Sequence, residues 1–216
     1  MSFIVRSLPD QLVELVRDRI LAGHVPPSEP IRQDALASEL GVSKIPLREA
    51  LTRLEQEGLV QRHANRGFFV SPLTAEEAEE VFALRLKLEP EAAAKAAKRA
   101  TKEERQVAIS VHDTLFRATN AHGDGVGAFN RAFHLALIRP CRQGITVVFL
   151  ERLHVLSERY VRKHLEPLGR DERANEEHQK LLDAWLERDT KQVSSQLHQH
   201  IKQTLEDLRR QLAAER

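Results

Sequence analysis

Asn130 and His134 stand four residues apart in FNRAFHLALI, so on a helix they project from one face, one above the other. Two further histidines fall on apolar stripes of helical period. His178 shares its stripe with Ala174, Leu181, Leu182 and Trp185, and His200 shares its own with Val193, Leu197, Thr204 and Leu208. His198 is displaced from that second stripe by about 200°. Any one of these histidines, taken alone, reads more readily as a hydrogen-bonded core residue than as a metal ligand. A different chemistry is written at Lys44 and Arg48, again four apart, on the face opposite Leu47, Ala50, Leu51 and Leu54. Cations in the first turns of a helix are placed to meet guanine edges or phosphates in a major groove.

The elements that must position these groups follow from periodicity and punctuation. QLVELVRDRILAG (11–23) carries Leu12, Leu15, Val16, Ile20 and Leu21 inward and stops at Gly23. QDALASELG (33–41) is a short helix with Leu36, Ala37 and Leu40 inward. Residues 42–58 open at Ser43, a favoured N-cap, and close at Gly58. Two helices joined by a short Gly-containing turn make a helix-turn-helix. LVQR (59–62) and FFVS (68–71) then read as two strands around HANRG, whose Asn65, Arg66 and Gly67 form a basic tip. Helix, helix-turn-helix and hairpin in this order predict a winged helix over residues 1–72. After Pro72 the strand signal vanishes. Six amphipathic periods, near 75–99, 102–121, 126–139, 143–165, 171–188 and 190–213, predict an all-α antiparallel bundle over residues 73–216. Breaks fall at Thr101, at 122–125, around Pro140 and at 167–169. The fold class is therefore mostly α, an N-terminal winged helix-turn-helix followed by a six-helix bundle.

Bulk properties narrow the function. The 216 residues are 41 % hydrophobic and 30 % charged, with few aromatics, a globular balance. One cysteine, Cys141, gives no intramolecular disulfide framework, and the longest fully apolar run, ITVVFL (145–150), is too short to span a bilayer, so the expected location is cytoplasmic. Net charge is +1, and the first 72 residues hold nine Lys/Arg against nine Asp/Glu. A nucleic-acid reading must therefore rest on where the cations point. An enzyme is disfavoured: HExxH, P-loop, GxGxxG and nucleophile motifs are all missing. A di-iron bundle would need two Glu-x-x-His pairs, and only Glu151–His154 fits.

The stretch LASELGVSKIPLREALTRLEQEGLVQRHANRGFFV (36–70) resembles the winged helix of the GntR family of bacterial transcription regulators. RLKLEPEAAAKAA (85–97), FNRAFH (129–134), EEHQKLLDAWLERD (176–189) and QLHQHI (196–201) resemble segments of the FCD effector domain of its FadR-like subfamily, in the short six-helix, VanR-like variant. The resemblance implies operator contacts from Ser43, Lys44, Ile45, Pro46 and Arg48 and from Asn65, Arg66 and Gly67 of the wing. Two positions depart from the pattern. Lys44 stands where Arg is usual, replacing a bidentate fork by a point charge. Asp34 stands where many members carry a DNA-contacting Arg, which leaves Arg32 or Gln33 to substitute. The resemblance further implies a homodimer on a pseudo-palindromic double-stranded operator.

For the bundle the resemblance implies a metal site of one carboxylate and three histidines, completed by a small carboxylate effector. The matching positions are Asn130, His134, His178 and His200, with Arg85 and Gln143 toward the effector. Neutral imidazoles suit Zn, Ni or another late first-row divalent ion. Asn130 replaces the usual Asp by a neutral amide, shifting charge balance onto the effector, or else the metal is lost and the histidines bind an anion directly. A dimeric DNA-binding regulator whose helical domain only holds the copies together is the alternative.

Overall fold

In a computed structural model, residues 7–121, 125–165 and 170–214 are described, apart from the side chains of 162–165. The breaks expected at 122–124 and 167–169, and Arg6, lie outside these. The chain divides into two compact units, residues 1–73 and 74–216.

Ser7 opens α1 (Leu8–Leu21) with a capping box to Asp10, satisfying end groups that have no intrahelical partner. Its buried face is Leu12, Val13, Val16, Ile20 and Leu21, while Leu15 is exposed. The buried arc against α3 (Lys44–Gln56) thus extends to the Val13 side of the Leu12–Val16–Ile20 row, not to the Leu15 side. α2 (Gln33–Glu39) is followed by Gly41, whose φ of +64° turns the chain into α3. Leu47, Ala50, Leu51 and Leu54 of α3 are completely buried. β1 (Val60–His63) and β2 (Gly67–Val70) pair antiparallel from Val60↔Val70 to His63↔Gly67. The ladder sits one residue from the sequence expectation in each strand because the Leu59 amide still completes the α3 turn on the Leu54 carbonyl. The segment before α2 adds a bridge, Pro30↔Phe69.

In the second unit, α4 (Ala75–Arg99), α5 (Lys102–Asn120), α6 (Val126–Ile138), α7 (Gly144–Leu165), α8 (Arg170–Leu186) and α9 (Thr190–Ala214) fall within two residues of the predicted periods. A 3₁₀ turn, Arg139–Cys141, joins α6 to α7. α4 packs chiefly on α9, α5 on α6 and α8, and α6 on α7. The Ala-rich segment of α4 forms a seam: Ala92, Ala93, Ala96 and Ala97 are fully buried, and their small side chains permit close approach of neighbouring backbone. Trp185 is also fully buried, its Nε1 donating to the Leu137 carbonyl at 3.0 Å, which ties α8 to the end of α6. No helix among the described residues is long and apolar enough to cross a membrane.

Candidate DNA interface and metal centre

The cations of the winged helix separate into two groups. Arg17 pairs with Glu57 at 2.6 Å, Arg19 with Glu39 at 2.7 Å, Arg53 with Asp10, and Lys44 with Asp34 at 2.6 Å. Among the described residues Arg32, Arg48, Arg62 and Arg66 have no carboxylate partner. The balanced charge count thus hides four free guanidinium groups. Arg48 and Arg62 line one groove between α3 and the hairpin, with Ile45, Thr52 and Phe68. The Arg62 guanidinium lies 5.6 Å from the Phe68 ring centroid, and that of Arg66 lies 5.2 Å from Phe69, so the strands hold both cations by their faces.

Ser43 sits at the N-cap in extended conformation, where the sequence placed it, and its hydroxyl makes no capping hydrogen bond, which leaves the group open. Ile45 is 71 % exposed, Pro46 half-buried and Lys44 exposed. Asn65 (φ +60°) and Gly67 (φ +87°) turn the wing tip through the left-handed region. A Cβ at Gly67 would come within 3.1 Å of the Gln33 Nε2, so Gln33 lies against the wing.

In the bundle, α6, α8 and α9 bring His134, His178 and His200 together, with one ring nitrogen from each inside a 4.8 Å group. His134 and His178 are buried and His200 nearly so. Burial pushes the His134 imidazole down to about 3, opposed by Glu89, and holds His178 well below its ordinary value. Both rings are therefore neutral, the form that ligates metal. Neither nitrogen of His178 has a hydrogen-bond partner, and an orphaned buried nitrogen costs about 1–3 kcal/mol. Three imidazoles offering ring nitrogens to one group fit Zn²⁺ or Ni²⁺ and leave further coordination positions open.

Carboxylates stand behind two of the rings. Glu177 Oε2 lies 2.6 Å from His200 Nδ1, directing Nε2 toward the other histidines. Glu89 Oε1 lies 2.9 Å from His134 Nδ1, without the alignment of a hydrogen bond. Glu89 is fully buried and also meets His154 Nε2 at 3.2 Å, giving a second possible ligand group, Glu89, His134 and His154. Burial opposes the Glu89 charge, yet Arg85 and the two histidines hold its carboxyl well below the usual range. Arg85 donates to Glu89 through Nε at 2.8 Å and Nη2 at 3.3 Å, and to Ser157 Oγ at 3.2 Å. Arg85 already neutralises Glu89 of this inner group, whereas both nitrogens of His178 in the outer triad are unpartnered, so the outer triad fits a metal better.

Asn130 and Arg85 line the same cavity as the three histidines, and its volume is about 20 Å³. Gln143 is not among its lining residues. It lies at the start of α7, eleven residues or about 16 Å of helix before His154. His198 is exposed, as its stripe required. Glu89 and Glu177 were not singled out from sequence, and His154 was named only as half of a Glu-x-x-His pair. His154 carried a signal, since Leu150, His154, Ser157 and Val161 recur at helical spacing.

The profile described as "Bacterial regulatory proteins, gntR family" matches residues 8–70, and that of the FCD domain matches residues 80–203. The chain belongs to the GntR family of transcription regulators. Its second unit is an FCD domain, and the protein is a DNA-binding regulator. The regulator is 32 % identical over 215 residues to the uncharacterized HTH-type transcriptional regulator BphR of Paraburkholderia xenovorans, covering 95 % of this chain and 86 % of the relative. It is 28 % identical over 195 residues to the HTH-type transcriptional repressor GlaR of Escherichia coli, covering 86 % and 89 %. Its fold is similar to that of E. coli McbR/YncC, with a TM-score of 0.83 at 24 % identity over 96 % of this chain and 99 % of that one.

Proposed function

We propose that this regulator binds a pseudo-palindromic operator as a homodimer and that a small carboxylate, bound at a divalent metal in the FCD domain, controls its operator affinity. The observation that carries the sensing half is the His134–His178–His200 group with both His178 nitrogens unpartnered. Zn or Ni would be held by these three imidazoles, with Asn130 beside them as a neutral fourth donor, and would supply a Lewis-acidic seat for the carboxylate.

On the DNA side, Arg32, Arg48 and Arg66 are the operator contacts with free charge. Ser43, Lys44, Ile45 and Pro46 present the start of α3, and Asn65 and Gly67 shape the wing. Gln33 acts by supporting the tip. Arg62, not anticipated from sequence, joins the free cations. The homodimer reading is supported by Ile145, Val148 and Phe149, exposed at 78 %, 65 % and 60 % at one end of α7, an apolar patch of the kind that a second copy covers.

A cavity of about 20 Å³ holds an ion or one water, so a metabolite can enter only as the walls part. The α7 wall carries Tyr160, whose hydroxyl accepts from the Thr74 amide at 3.1 Å and donates to Glu77 at 2.7 Å at the start of α4. Displacement of α7 thereby reaches the first residue of the second unit, a route by which effector binding biases the winged helices. The name of the E. coli relative favours repression as the outcome. The test is operator affinity by fluorescence anisotropy for chelated protein, protein loaded with Zn or Ni, and loaded protein with a panel of small carboxylates. The reading expects at least one carboxylate to shift affinity only when metal is present. Identical affinity in all arms contradicts it.

A further inference from the structure

Lys44 is the cation in the first turn of the recognition helix, and an acid neutralises it: its partner Asp34 comes from the other helix of the motif. The contact is 2.6 Å, with both side chains largely exposed. Ion pairs this exposed contribute little to stability, so stability does not explain placing a carboxylate where DNA must approach. Asp34 gains some helix-dipole stabilisation in the first turn of α2, but that requires no lysine opposite it. Close to DNA a carboxylate is repelled by every phosphate. The donors that it can meet there are base amino groups, cytosine N4 and adenine N6 in the major groove.

We propose that Asp34 is a specificity-determining residue, and that the Asp34–Lys44 pair reads one G·C base pair as a unit. Lys44 donates to guanine O6/N7, and Asp34 accepts from the N4 amino group of the paired cytosine. Guanine O6 and cytosine N4 are hydrogen-bonded to each other, so they lie one hydrogen-bond length apart. The spacing of the protein pair is of the same order. Charge bookkeeping agrees. Lys44 held by Asp34 is removed from the set of phosphate-neutralising cations, leaving that work to the free arginines. The inference rests on α3 being the helix that faces DNA.

The experiment uses the full-length protein and duplexes selected by the wild type from a random-sequence library. Selection is repeated with Asp34→Ala, Asp34→Asn and Lys44→Ala, and affinities are measured across a salt series. Asp34→Ala frees Lys44 for phosphate. It should lose discrimination at one base pair of each half-site by about ten- to a hundredfold. Its binding to unselected DNA should tighten, and its log–log salt slope should steepen by about 0.9 per chain. Asp34→Asn should move the preference at that position from cytosine toward adenine, which Asn recognises. Lys44→Ala should lose discrimination at the same base pair with an unchanged salt slope, whereas a phosphate contact would cost about one unit. Unchanged selected sequences and slope for Asp34→Ala overturn the inference. Arg48→Ala separates the two levels. If it too binds as wild type, the helix assignment has failed, and if it alone is weakened, only the role of Asp34 has.

Discussion

Replacing Arg66 by Ala tests whether the four unpaired guanidinium groups carry the operator's phosphates. Among the described residues of the winged helix, Arg32, Arg48, Arg62 and Arg66 lack acid partners, so the proposed dimer offers eight such cations. At about 0.9 per neutralised phosphate, log affinity against log salt should fall with a slope near −7, and binding should weaken about ten-thousandfold between roughly 50 and 200 mM salt. Had the paired cations Arg17, Arg19, Lys44 and Arg53 counted as well, the slope would be about −14. Arg66→Ala removes one cation per chain, which should bring the slope to about −5 and weaken all duplexes to a similar extent. Anisotropy titrations at five salt concentrations, on wild type and variant, measure both quantities. A wild-type slope near −14, or an Arg66→Ala slope equal to the wild type's, would refute the division of cations.

Glu177→Gln should weaken Zn or Ni binding about 10- to 100-fold in a chelator competition, because the His200 ring loses its orienting carboxylate. Rescue by Asp, or an unaltered affinity, separates positioning from no role. Metal-free protein should lose stability as pH falls below about 6.5, the ordinary histidine value. His134, held down to about 3, and His178, held well below its ordinary value, stay neutral when folded and take up protons on unfolding, and His112 and His154 are lowered by burial in the same direction, so acid favours the unfolded chain. Each histidine contributes up to about 1.4 kcal/mol per pH unit in that window, and urea midpoints that stay flat from pH 7 to 5 would contradict this. Gly67→Ala should cost about 1–2 kcal/mol, since φ of +87° disfavours a Cβ and Gln33 stands 3.1 Å away. Chemical denaturation followed at the wing, together with reduced operator affinity, checks it.

The helices were legible because amphipathic periods and caps such as Thr74 and Thr101 agree locally with what packing rewards. The failures are tertiary. Leu15 and Val13 are both apolar neighbours of the buried row, and only the position of α3 decides between them. Ser43 stands at the N-cap as its type suggested, although its side chain makes no capping hydrogen bond. The histidine triad was legible from three separate stripes, but its support was not. Glu177 is adjacent in sequence to His178 and acts on His200, twenty-three residues later. Glu89 sits one turn from Arg85 on a face otherwise filled by Phe82, Ala92 and Ala96, and a charged pair on a buried face was a readable sign of a polar centre. Gln143 rested on resemblance alone, and α7 carries it away from the cavity.

Native mass spectrometry with elemental analysis of wild type and His178→Ala, each incubated with Zn or Ni and desalted, tests the central claim most directly. One divalent ion per wild-type chain and none on the variant is the expected result, with both proteins folded by circular dichroism. A metal-free wild type, or a His178→Ala protein with the same metal content, would contradict it.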